Sequence, residues 1–124
     1  MARFLTSEWI SALDEAAREA AVPDGVTLTI QQIVTDPGGD VRYHLVLADG
    51  RIRVHPGEAA VPDVTLVQTR DVAAALSRGE LNAQQALEAG RLKLRGDIGH
   101  LARQGKALTV VQDVFVAVRA ATSY

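Results

Sequence analysis

The side chains able to do chemistry in this 124-residue chain are few and scattered. His44 and His55 come together if the strands that carry them form a hairpin, because cross-strand neighbours lie about 5 Å apart. Two imidazoles fall short of a zinc site, which takes four ligands, three of them from protein when the site is catalytic. The sequence contains no cysteine, so neither thiolate ligation nor a disulfide framework is open to it. No carboxylate joins the pair by spacing, so it reads as an exposed polar pair, with no metal expected. Asp97 and His100, at i and i+3, read as a cap or a surface pair rather than a catalytic dyad. There is no glycine-rich phosphate loop, no G-x-S-x-G elbow and no H-E-x-x-H. No catalytic residue and no cofactor is expected. The pattern points to binding, not turnover.

Among the elements that would position these side chains, Pro62 to Asp97 packs a strand, two short capped helices and a second strand into one segment. Val64 and Leu66 give an inward apolar pair. Asp71 is expected to cap a helix over Val72 to Arg78, closed by Gly79. Asn82 with Gln85 three residues on is a variant capping box that opens a helix closed by Gly90. Arg91 to Arg95 alternates, with Leu92 and Leu94 inside and Arg91, Lys93 and Arg95 outside.

Upstream, Ser7 is expected to cap a first helix whose stripe is Trp9, Ile10, Leu13, Ala16, Ala17 and Ala20. Val26 to Val34 alternates as a strand does, with Leu28 and Ile30 on one face. Val41 to Ala48 and Arg51 to His55 flank Asp49-Gly50, the preferred two-residue hairpin turn. That turn sets the register: Ala48 faces Arg51, Leu47 faces Ile52, Leu45 faces Val54 and His44 faces His55. Downstream, Asp97 is expected to cap one long helix reaching about Ala121. The whole chain, 1–124, then forms a single α+β domain. It has about five strands in a mainly antiparallel sheet, with helices covering one face.

Bulk composition narrows the function. Apolar residues make up 48% and aromatics 4%, so the core is built from Val, Leu, Ile and Ala. A formal charge of −2 gives no basic excess for nucleic acid. No segment approaches the roughly 18 apolar residues of a membrane span. Glu8, Asp14, Glu15 and Glu19 interrupt what a signal peptide would keep apolar. Cytoplasmic location is the expectation.

The ordered pieces from Tyr43 to Gly99 resemble the sterol carrier protein-2 (SCP2) lipid-binding domain family. They are the Asp49-Gly50 hairpin, the PDVTL strand, the helix ending at Gly79, Leu81 and Ala86. Gly90-Arg91-Leu92-Lys93-Leu94-Arg95-Gly96-Asp97 completes them, similar to the family's G-K-L-K-I-x-G-D string. The long last helix is closer to small bacterial members. The resemblance implies an apolar tunnel between sheet and helices that holds a fatty acid, fatty acyl-CoA, phospholipid or sterol. It also implies noncovalent binding and transfer.

The candidate wall, taken from the inward-facing positions, is Leu28, Ile30, Leu45, Leu47, Val64, Leu66, Leu76, Leu87, Leu92, Leu94, Leu108, Val111 and Phe115. Tyr43 is a candidate hydrogen-bond partner for a headgroup at the pocket mouth. The last helix carries Leu101, Leu108, Val111, Phe115 and Val118 as one stripe, widened by Val110, Val114 and Ala117 beyond one packing contact. A bound lipid, a second subunit in a homodimer, or other helices of the same chain would each cover the surplus. A small steroid isomerase-like enzyme is the remaining alternative, but it needs a base and an oxyanion donor, and the inner faces offer only Tyr43 and Gln68. On the outer face Arg42, Arg51, Arg53, Lys93 and Arg95 form a basic surface suited to weak contact with anionic membranes.

Overall fold

The computed structural model describes residues 1–124. In chain order the elements are β1 (Ala2–Arg3), α1 (Ser7–Ala17), β2 (Leu28–Thr35), β3 (Val41–Ala48), β4 (Arg51–Pro56), β5 (Val64–Thr69), α2 (Arg70–Arg78), α3 (Ala83–Glu88), β6 (Leu92–Gly96), α4 (Ile98–Arg103), α5 (Gly105–Ala117), a 3-10 turn (Arg119–Ala121) and β7 (Thr122–Ser123). The main sheet has five strands in the order β4-β3-β2-β5-β6. Three neighbouring pairs are antiparallel and one, β2 with β5, is parallel. The expected α+β architecture is therefore present, with a mixed sheet.

The hairpin forms in the register its turn dictates, His44 opposite His55 and Leu45 opposite Val54. Asp49 and Gly50 take φ of 54° and 74°, the two left-handed conformations a type I′ turn requires. Leu28, Leu45, Leu47 and Ile52 are fully buried on the inner face, each contributing roughly 1.5–3 kcal/mol of burial free energy. Helices α1, α2 and α5 pack over that face.

Helix caps and ends differ from expectation in ways that have local causes. Thr6, not Ser7, caps α1, because its hydroxyl is the one that accepts from the Trp9 N–H, at 3.3 Å. That helix ends at Ala17, three residues before Ala20. Thr69 rather than Asp71 caps α2, accepting from Val72 N–H at 3.4 Å, while Asp71 sits in the first turn where its charge favours the helix dipole. Gly79 closes α2 in the left-handed conformation, and the Asn82–Gln85 capping box is complete.

The long final helix is two helices. Asp97 does cap the first, accepting from His100 N–H at 2.9 Å, but Gln104 leaves helical geometry at φ −107°, ψ 32°. Gly105, a weak helix former, follows at the break. α4 is held by His100 Nε2, 2.7 Å from the carbonyl oxygen of Thr27, and α5 is then free to lie along α1 and α2. The chain ends pair as a second, two-stranded parallel sheet, β1 with β7, which no local sequence pattern announces.

Two polar contacts close the sheet's borders. On the edge strand β4, the Val54 N–H donates to Asp14 Oδ1 at 2.7 Å. Arg53 and Arg18 pair with the same carboxylate at 3.2 and 3.3 Å. Burial alone would raise the Asp14 pKa, but the Val54 N–H and the Arg53 and Arg18 guanidiniums outweigh it and hold the carboxyl below its ordinary value. Near the other border, Asp63 accepts the Thr29 N–H on its carboxylate at 2.7 Å and the Asp97 N–H on its carbonyl at 2.9 Å.

Candidate ligand-binding cavity

Buried apolar side chains fall into a main core of 24 residues and a minor one of three, Val72, Ala86 and Leu92. A cavity opens at the seam between them, because its lining is drawn from both. From the sheet come Ile30, Gln32, Tyr43, Leu66, Gln68 and Leu92. From α2 and α3 come Ala73, Leu76, Ser77 and Ala83. From α5 come Leu108, Val111, Gln112 and Phe115, and Phe4 closes the set. None of these 15 residues is charged. The space is about 80 Å³ to the centres of water-sized spheres, room for a few waters or a short apolar fragment.

Of the wall residues expected from sequence, Ile30, Leu66, Leu76, Leu92, Leu108, Val111 and Phe115 line this cavity. Leu28, Leu45, Leu47 and Val64 are buried in the main core without lining it. Leu94 is half-buried against that core, and Leu87 on α3 is 37% exposed. Tyr43 lies in the cavity wall rather than at a mouth: it is 3% exposed, and burial pushes its hydroxyl pKa far up. Phe4, Gln32, Ala73, Ser77, Ala83 and Gln112 also line the space. Gln32 was readable, since it continues the inward register of Leu28 and Ile30. Phe4 was not, because only the pairing of the chain ends places it.

Side-chain hydrogen bonds tie the walls. Gln112 Nε2 donates to the Leu76 carbonyl at 2.8 Å, joining α5 to α2. The Ser77 and Tyr124 hydroxyls lie 2.6 Å apart, and Gln68 Nε2 donates to Gln32 Oε1 at 2.6 Å. All five Phe, Tyr and Trp residues gather beside the cavity. Trp9 meets Phe4 and Tyr43 edge-on at 4.9 and 5.5 Å, with Phe115 at 6.1 Å and Tyr124 against Phe4 at 4.9 Å.

The profile of the SCP-2 sterol transfer family matches residues 9–109. The chain belongs to this family. No curated protein matches it in sequence. Among solved structures it is similar to the Thermus thermophilus protein TT1886, at 22% identity and TM-score 0.76, covering 95% of this chain and 91% of that one. It is similar to a sterol carrier protein 2 at 22% identity and TM-score 0.74, covering 92% and 98%. It also resembles palmitated SCP2L2 from Aedes aegypti at 27% identity and TM-score 0.63, covering 90% and 95%.

In this SCP-2 domain the remaining sequence candidates fall outside the cavity. The His44 and His55 rings stand 5.3 Å apart, His44 Nδ1 lies 3.0 Å from the Gly57 carbonyl, and no third metal-ligating side chain joins them. On the outer face Arg42 pairs with Glu58 at 3.1 Å and Arg53 with Asp14, whereas Arg51, Lys93 and Arg95 are exposed and unpaired. The apolar face of α5 is covered in part by the chain's own elements: Ala107, Val111 and Val114 are buried, Leu108, Val110, Phe115 and Val116 are half-buried, and Ala117 is exposed. The exposed large apolar residues are Met1, Val61, Leu87, Ile98 and Tyr124, none of them on α5. No helix is long and apolar enough to cross a membrane.

Proposed function

We propose that this protein binds a lipid noncovalently at the seam between its two cores and passes it on. The observation that carries this reading is a partly enclosed, uncharged, mainly aliphatic cavity between sheet and helices in a chain of the sterol transfer family. The driving force is burial of the ligand's hydrocarbon, about 0.8 kcal/mol per methylene. The Aedes aegypti relative described as palmitated supports an acyl chain as one occupant. Ligand pockets usually span roughly 300–1,000 Å³, far beyond the 80 Å³ found here, so uptake requires the seam to widen. The minor core of Val72, Ala86 and Leu92 is much the smaller of the two, and on this reading it is the side that gives way.

The test is native mass spectrometry of delipidated protein with added palmitate and, separately, hexadecanol. A one-to-one adduct with at least one of the two is expected. Ala73→Leu, which extends into the void, is expected to weaken it at least about tenfold while the protein stays folded, at a stability cost of no more than about 1–3 kcal/mol. No adduct of the wild type with either lipid overturns the reading. An adduct that Ala73→Leu leaves unchanged places the lipid elsewhere. Delivery to a membrane, on this reading, belongs to the exposed cations of the outer sheet face.

A further inference from the structure

The cavity is apolar except where three strands meet. Gln32 on β2 stands directly opposite Tyr43 on β3, and Gln68 on β5 is the diagonal neighbour of Gln32, across from Val34. All three are at least nine-tenths buried, with exposures of 6%, 3% and 6% for Gln32, Tyr43 and Gln68. All three line the void. The two amides make a single side-chain hydrogen bond, to each other, at 2.6 Å. That contact uses one N–H and one carbonyl, so whichever way the amides are turned, three N–H donors and a second carbonyl remain without a protein partner. The Tyr43 hydroxyl has none either.

The free atoms of this cluster border the open space of the cavity, since among fully buried side-chain nitrogens and oxygens only Trp9 Nε1 lacks a partner. A ligand that covers them without pairing them costs about 1–3 kcal/mol per group. Leucine at both glutamine positions would suit a slot meant for hydrocarbon alone. The free groups include both donors and acceptors, Gln32 directly opposite Tyr43 at about 5 Å and diagonal to Gln68 at about 7–8 Å. No lysine, arginine or histidine lines the cavity to offset a charge, and an unpaired carboxylate or ammonium is drawn from water into it only at a large cost.

We infer that Gln32, Gln68 and Tyr43 form a subsite for an uncharged, hydrogen-bonding group of the lipid, a hydroxyl or a neutral carbonyl, laid against the centre of the sheet. This rests on the lipid-binding reading above and adds the polar chemistry of the cargo. The preferred ligand is thereby a neutral oxygenated lipid rather than a plain hydrocarbon or an ionised fatty acid. The amides and the phenol fix where its oxygen lies, and the aliphatic walls accept what is attached to it. Discrimination follows from the free protein: a ligand without the oxygen leaves the cluster unpaired, and one with a charge arrives without a counterion.

The experiment titrates delipidated protein calorimetrically with decanol, with the chloride of the same chain, and with decanoate at pH 8. The wild type is expected to favour decanol over both by at least about tenfold. Replacing both amides together, Gln32→Leu with Gln68→Leu, exchanges a polar pair for apolar side chains of similar size and is expected to leave the fold intact. In that variant decanol is expected to lose its advantage while the chloride binds as well as before or better. Tyr43→Phe is expected to show a smaller loss of the same kind. Equal binding of decanol and chloride by the wild type, or an undiminished preference in the double variant, overturns the subsite and leaves lipid binding standing. Binding of none of the three by a wild type that does form the palmitate or hexadecanol adduct also overturns the subsite, and absence of those adducts as well overturns both.

Discussion

Asp14 is a charged residue committed to holding the sheet rather than to function. Its carboxylate occupies the Val54 N–H, a backbone donor of β4 that faces away from β3, and two arginines neutralise it. This covers an edge that would otherwise be open to another strand. Asp14→Ala leaves the Val54 N–H without its partner and is expected to cost about 1–3 kcal/mol, read as a lower denaturant midpoint at unchanged slope. The pH dependence has a definite sign. Because the folded pKa is depressed, the stabilisation is fully present above the unfolded value of about 4. It is lost as pH falls through the lower folded value. Wild-type stability is therefore expected to fall in that window more steeply than that of Asp14→Asn, which keeps an acceptor but does not titrate. Parallel curves would assign the acid sensitivity to other carboxylates.

Among the elements, two glycines make opposite predictions from their surroundings. Gly96 ends β6 at φ 102°, and a Cβ there would run into the Asp63 carbonyl oxygen and crowd Val64 Cα at 3.0 Å. Those are backbone atoms that cannot swing aside, so Gly96→Ala is expected to destabilise by about 1–3 kcal/mol. Gly105 opens α5 without a positive φ, and a Cβ would meet nothing within 4 Å. Gly105→Ala is expected to stabilise by about 0.4–1 kcal/mol through the unfolded chain. Thermal melts of the two variants read both signs. The same elements show what the sequence carried. Asp49-Gly50 specifies its turn and thereby its register, because only left-handed conformations satisfy it. The apolar stripe from Leu101 to Val118 instead reads as one helix, since Leu101 and Val111 are buried on both sides of the break at Gln104. Periodicity reports which face is buried, not whether the axis is continuous.

At the scale of the whole molecule, alternation along β2, β3, β5 and β6 was enough to say which side chains turn inward. It did not say how deep the cavity reaches among them: Leu45 and Leu66 share a face, yet only Leu66 meets the void. That difference depends on how α2, α3 and α5 are spaced above the sheet, which rests on contacts far apart in sequence. The outer face was equally legible in direction and not in arrangement. Arg51 lies on β4, while Lys93 and Arg95 lie on β6, the opposite edge of the sheet. Four strand spacings separate these edges, about 19 Å, well over the screening length of about 8 Å at physiological salt. The cations therefore act on an anionic surface independently, each contributing about 1 kcal/mol, and not as one concentrated patch. If the protein delivers lipid by docking this face, reversal to glutamate at Arg51 and at Lys93 with Arg95 is expected to weaken binding to phosphatidylserine vesicles in additive steps. Arg53→Glu is expected to act mainly on stability, because that guanidinium is already held by Asp14. Vesicle cosedimentation of the single and combined variants at two salt concentrations decides it. Additive, salt-sensitive losses assign docking to the sheet, whereas binding unchanged by all three reversals assigns it to the helical side, where the cavity's less buried wall lies.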